Sequence, residues 1–424
     1  MKFKSPLQAN PKPTWLARTL IGLSLAAGAQ LAAASSTAII NATLYTATEQ
    51  GTLSNASLVF EDGVITAINP EQITADEIID AQGGTVTPGF IGSLNSLGLV
   101  EVGAVEQSED DELEKPDLNF APVLAFNPES TAIAVARSGG VTRDVVVPGG
   151  SKEPFAGVAG AVTLTGELAL PDSKPVAAVT YLTGMKGYSR ADTLRKLYQQ
   201  LQARIDEVSK PKKGDEPAAA PSAAQLTLDA LLAGSIPLLA YSDRPADILQ
   251  LLALQEHFKL KLVIAGGTGA VAVKEQLAAA GVPVILDALH DLPESFDQLH
   301  ASLSNASTLH QAGVTVGLAV MADATQALYQ LRFGAGNAIA NGLPPEAALA
   351  AITRVPAAIF GLPAGSLEAG KAADLVLWRN DPFDFPGQVQ NLWIEGQLYG
   401  TQTRPDQLRE RYRADAELPP AYRK

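Results

Sequence analysis

The sequence predicts an α/β chain: a barrel of repeated strand–helix units joined to a small β-sandwich built from both chain termini. Three observations predict it. Between 87 and 361, short β-branched runs alternate with Ala- and Leu-rich helical stretches, the habit of βα units on a parallel sheet. Strand chemistry flanks that region on both sides, at 35–86 and 362–405. At 424 residues, 46% of them hydrophobic and 18% charged, the chain is also too long for one core, since single cores stop growing near roughly 250–300 residues. Such a composition excludes global disorder.

The elements follow in order. Lys2, Lys4, Lys12 and Arg18 precede any acid, and Thr19 to Ala34 then run apolar and small into Leu-Ala-Ala-Ala-Ser-Ser. This is the charged region, apolar region and small-residue cleavage site of an export signal, 1–34. The apolar run falls short of the roughly 20 strongly apolar residues of a membrane span, so the expected product is periplasmic or otherwise exported, with no membrane attachment after cleavage. Alternating strands are expected at 38–46, 57–60 and 64–68, the last two joined by the turn Glu61-Asp62-Gly63. Barrel strands are expected at 141–147, 176–181, 236–241, 262–265, 282–286 and 314–318, with a helix around 191–208. Residues 209–225 hold three Pro and no bulky apolar group, which predicts a flexible surface insertion. Strands return at 373–378 and 391–394, and 406–424 read as a C-terminal tail.

Composition narrows the chemistry. With 45 Asp and Glu against 31 Lys and Arg, the net charge is −14, which argues against nucleic acid as a partner. There is no Cys, so thiol catalysis, disulfides, iron–sulfur clusters and Cys-type zinc sites are excluded. Only four His are present. His257, His300 and His310 fall in helical stretches and read as solvated surface, whereas His290 should leave the C-terminal end of the 282–286 strand. The acidic run Glu109 to Glu112 with Glu114 lacks the ligand spacing and turn Gly of a calcium loop, and reads as a solvated, mobile loop. Gly149-Gly150-Ser151-Lys152 and Gly266-Gly267-Thr268-Gly269 lack the spacing of a phosphate cradle, and no nucleophile elbow is evident.

Four stretches together resemble the amidohydrolase superfamily, specifically its exported, imidazolonepropionase-like branch. They are Ile65 to Ile68 leading to Thr87-Pro88-Gly89-Phe90-Ile91; Phe126 to Ser130 with Gly140-Val141-Thr142 and Val147-Pro148-Gly149; Gly342 to Glu346 with Ile352-Thr353 and Pro356-Ala357; and Gly365 to Val376. They occur in the family's order over nearly the whole chain. The resemblance implies a (β/α)8 TIM-type barrel at 87–361, a composite sandwich at 35–86 and 362–405, and a site at the C-terminal ends of the barrel strands.

Family catalysis uses zinc or another divalent metal to activate water and polarise a carbonyl during hydrolysis of carbon–nitrogen bonds. Carried across one position at a time, the family's ligands fall on Leu94 and Ser96 after the first barrel strand, Tyr241, Gly266 and Met321. None is an imidazole or a carboxylate. No cofactor is therefore expected, and the reading favoured is a metal-free pseudoenzyme binding a small molecule or a protein partner at the barrel mouth. One form of that partner is a metal-bearing amidohydrolase relative. The alternative is an active hydrolase of cyclic amide or dipeptide-like substrates, through a metal-free carboxylate mechanism or a rearranged site, for which the candidate catalytic residues are Glu101, Tyr241, Asp243, Arg244, Asp287, His290 and Asp323.

Overall fold

The computed structural model describes residues 36–184, 187–209, 220–321 and 325–413. The expected export segment 1–34, Asp323 and the centre of the 209–225 insertion lie outside them. The N-terminal strands are Ser36–Tyr45 (β1), Thr52–Glu61 (β2), Val64–Ile68 (β3), Glu77–Asp80 (β4) and Thr85–Pro88 (β5). As the sequence predicts, β2 and β3 form a hairpin on the Asp62-Gly63 turn, where both residues take positive φ, 49° and 78°. A two-residue turn of that hand matches the twist of the strands it joins.

The barrel follows with Phe90–Asn95 (β6), Thr131–Ser138 (α1), Val141–Val146 (β7), Gly157–Thr163 (β8), Ala177–Tyr181 (β9), Arg190–Ser209 (α2), Ala223–Leu232 (α3), Leu238–Ser242 (β10), Pro245–Phe258 (α4), Leu262–Gly266 (β11), Lys274–Ala280 (α5), Val284–Asp287 (β12), Asn305–Gln311 (α6) and Val316–Ala319 (β13). Helices Leu331–Ala340 (α7), Pro345–Ala351 (α8) and Arg354–Phe360 (α9) close the region. Strands β6 to β13 neighbour one another in sequence order, making a nearly closed eight-stranded barrel. Its interior is small and branched, with Val145, Ala159, Ala177, Val179, Leu239, Val263, Ala265 and Ala319, and Phe360 packed with them.

The expected all-parallel (β/α)8 order is broken at one strand: β8 runs antiparallel to both β7 and β9. Residues 147–156 between β7 and β8 are too few for a helical crossover, which takes a dozen or more. Two further expectations need correction. The insertion ends earlier than 225, because Ser222 caps α3, accepting from the Gln225 amide while the Gln225 side chain bonds back to the Ser222 amide. The 406–424 tail begins inside a helix, Arg404–Arg411 (α10), capped in the same way by Thr403 and Asp406.

Leu375–Arg379 (β14), Gln388–Ile394 (β15) and Gln397–Tyr399 (β16) complete the second domain. The expected sandwich is a single sheet, ordered β16-β15-β14-β5-β1-β2-β3 with β4 also on β1. It curls until Val64 bridges Ala372, enclosing a core of Ile39, Leu44, Leu58, Phe60, Ile65, Leu377 and Trp393. The hairpin tips at Gly63 and Gly396 meet, and a Cβ on Gly396 would lie 3.1 Å from the Gly63 Cα. Strand β5 belongs to this sheet through Pro88, so the boundary falls at Gly89 rather than after residue 86.

The two domains join through buried chemistry. Arg143 on β7 donates from Nε to the Asp374 carboxylate at 2.6 Å and from Nη2 to Glu395 at 2.9 Å. Trp378 stacks on Phe90 at 5.4 Å and donates to the Thr87 hydroxyl at 2.9 Å. Among the described residues, no helix is long and apolar enough to cross a membrane.

Candidate active site

The C-terminal ends of the barrel strands open on two neighbouring cavities, of about 380 Å³ and 560 Å³, which share Met321. Leu94, Ser96, Tyr241 and Met321 line the smaller one, and Gly266 and Met321 the larger. All five positions that the family resemblance marks therefore meet at the mouth. Leu94 holds a positive φ of 63° and turns its side chain into the barrel interior. Their donors amount to a serine hydroxyl, a phenol and a thioether. Among the described residues, no group of three or more His, Asp or Glu is disposed to hold a metal ion.

Tyr241 stacks on Tyr181 with ring centroids 4.3 Å apart and planes 9° from parallel. The Tyr181 hydroxyl donates to the Pro148 carbonyl at 2.8 Å. Burial pushes both phenols up from their ordinary range, so both are neutral at physiological pH. The sequence reasoning missed Tyr181, although it ends a predicted strand at the barrel mouth. It also missed the acidic run. Asp111 is only 9% exposed, and its Oδ2 accepts from Ser96 Oγ at 2.5 Å. Glu109, Asp111 and Glu112 line the smaller cavity, so a segment expected to be solvated and mobile folds onto the mouth. Its backbone is tied down by Asp110 N to Leu99 O at 2.9 Å and Gly149 N to Asp111 O at 2.8 Å. The signal available in the sequence was length: a connection as long as 96–130 with so little regular structure is more often a lid than a tether.

The other candidates divide. Asp243, Asp287 and His290 line the larger cavity together. Asp243 accepts from the Thr268 amide at 3.0 Å, the Thr268 hydroxyl at 3.1 Å and Gln298 at 3.2 Å, so the glycine-rich turn 266–269 wraps a carboxylate of the chain itself. Asp287 accepts from the Leu289 and Met321 amides at 2.8 and 3.1 Å. His290 is half-buried, and its Nε2 is buried with no hydrogen-bond partner among the described residues. Glu101 lines neither cavity, because Asn127 and Ser130 donate to it at 2.8 and 3.0 Å and tie it to the start of α1. Arg244 also lines neither, its Nε standing 3.7 Å from Asp247 and 3.9 Å from Asp297. Asp323 lies outside the described residues. His257, His300 and His310 are exposed, and His300 sits on a turn before α6 rather than in a helix.

Comparison with known proteins agrees with this architecture. An amidohydrolase from Thermotoga maritima MSB8 superposes with a TM-score of 0.76 at 24% identity, covering 85% of this chain and 99% of that one. A Xaa-Pro dipeptidase gives 0.55 at 15% identity, over 86% and 100%. A zinc-bound adenosine deaminase from Xanthomonas campestris gives 0.51 at 17% identity, over 86% and 92%. At these identities the likeness is one of fold. No curated protein sequence matches the chain. The amidohydrolase family model matches residues 249–399, from α4 to β16. The chain thus matches the amidohydrolase family model over part of its length and shares the barrel-and-sheet fold of solved amidohydrolases.

Proposed function

We propose that this protein is an exported amidohydrolase-family member whose barrel mouth binds a small molecule or a partner chain without metal-assisted hydrolysis. One observation carries the reading: the positions that the resemblance marks as metal ligands converge at the mouth, yet they present Leu94, Ser96, Tyr241, Gly266 and Met321. A catalytic divalent ion needs three or more protein nitrogen or oxygen ligands at about 2.0–2.2 Å. These side chains do not fit one. Without the ion, the term that makes hydroxide available near neutral pH is lost. Export rests on the 1–34 segment, and the branch within the family on the four sequence stretches.

Metal analysis of the purified protein, with a screen of cyclic amides and dipeptides in the presence and absence of chelator, tests this. The expected result is substoichiometric metal and no turnover. Stoichiometric zinc with chelator-sensitive hydrolysis overturns it.

A second reading draws on His290, whose Nε2, without a hydrogen-bond partner among the described residues, shares a cavity with Asp243 and Asp287. It is a metal-free hydrolase with His290 as general base. Turnover that is indifferent to chelator and abolished by His290→Gln would support it over the first.

A further inference from the structure

The smaller mouth cavity joins two features that a vacant hydrolase site does not require. The first is uncompensated charge. Glu109, Asp111 and Glu112 line it, and none forms an ion pair among the described residues. Asp111 is nine-tenths buried as a residue, and Ser96 donates to its Oδ2, which leaves Oδ1 open to a donor arriving in the cavity. Three carboxylates on one cavity wall with no basic partner attract a cation that can supply the missing counter-charge. Burial, followed by the charges of Asp111 and Glu109, holds the Glu112 carboxyl above its ordinary range. The second feature is the stacked Tyr181–Tyr241 pair, flanked by Leu94, Val147 and Met321. Aromatic rings attract organic cations and an apolar wall accepts a hydrocarbon body.

We propose that this cavity, between the tyrosine stack and the acidic segment, binds a small organic ammonium ion: a primary amine carrying an apolar or aromatic body. The ammonium donates to Asp111, Glu112 and Glu109 supply longer-range attraction, and the body lies against the tyrosines and Leu94. A bare divalent ion is the poorer fit. Among the described residues no three carboxylates or histidines are placed to share one, and it would leave the aromatic wall unused. At about 380 Å³ the space falls at the small end of ligand pockets, roughly 300–1,000 Å³. The proposal rests on the reading that the mouth binds its ligand without metal.

Calorimetric titration of the chelator-treated full chain with tyramine, and with 4-ethylphenol as the same body lacking the ammonium, tests it. Tyramine is expected to bind with 1:1 stoichiometry, at least about tenfold more tightly than 4-ethylphenol, and more weakly as salt is raised. Asp111→Asn should weaken tyramine about tenfold or more. Glu112→Gln, on an exposed side chain where folding is not at stake, should weaken it severalfold, and Tyr241→Leu should weaken both compounds. Equal affinity for the two compounds, no binding of tyramine, or tighter 1:1 binding of calcium alone that displaces tyramine would each overturn the proposal. Metal-free, inactive protein that fails to bind tyramine ends this proposal and leaves the proposed function standing. Stoichiometric zinc with chelator-sensitive hydrolysis ends the proposed function itself.

Discussion

Asp144 shows what a single buried residue costs this barrel. It sits on β7 with no exposure, Asn95 donates to its Oδ1 at 2.9 Å, and its Oδ2 has no hydrogen-bond partner among the described residues. A Cβ on Gly92 would lie 2.5 Å from Oδ1, so only glycine leaves room for the carboxyl there. Burial pushes its pKa up to about 7, with the Asn95 and Val145 hydrogen bonds opposing. A carboxyl raised in the folded state contributes stability below its unfolded pKa, and that contribution is lost as pH rises through the folded pKa. The wild type should therefore lose stability between about pH 4 and 7 relative to Asp144→Asn. At pH 8 the variant is expected to be more stable by roughly 2–4 kcal/mol, with near-equality at pH 4, read as a shift in urea midpoint. Equal midpoints at pH 8 would refute the assignment.

At the scale of elements, Ser222 decides where α3 begins. Ser222→Ala removes one half of its capping box and should cost about 1 kcal/mol, seen as a lower thermal midpoint; an unchanged midpoint would favour the loop the sequence suggested. What was legible follows from patterning. Strands β9, β10 and β11 are short and largely apolar, β7 sets Val141, Thr142, Val145 and Val146 around Arg143 and Asp144, and all four stand out between helices, while Asp62-Gly63 announces its hairpin. Strand β8 was not legible because Gly157, Ala159, Gly160 and Ala161 break up its branched residues Val158, Val162 and Thr163, and glycine is depleted in strands. Small residues are needed there, as a Cβ on Gly160 would lie 2.5 Å from Val123. Around the site, strand ends located Tyr241, Asp243, Asp287 and His290. Asp111 escaped because its burial depends on Ser96 and Gly149, contacts that an acidic run cannot display in one dimension.

For the whole molecule, the Arg143–Asp374–Glu395 bridge couples barrel to sheet. Asp374→Ala would leave the Arg143 guanidinium largely buried with one exposed partner, at an expected cost of about 3–5 kcal/mol. The two domains should then unfold in separate transitions in denaturant, the sheet followed by the fluorescence of Trp378 and Trp393 and the barrel by the circular dichroism of its helices; a single unshifted transition would contradict the coupling. The curled sheet has a further consequence. Pro88 and Leu375 are register partners, so β5 has one flank open until the final stretch of chain arrives. A chain made or threaded from its N-terminus passes through a stage in which that flank is an adhesive ribbon edge. Products truncated before β14 should clump rather than persist as bare barrels, which makes the last strands a proofreading latch on finished molecules.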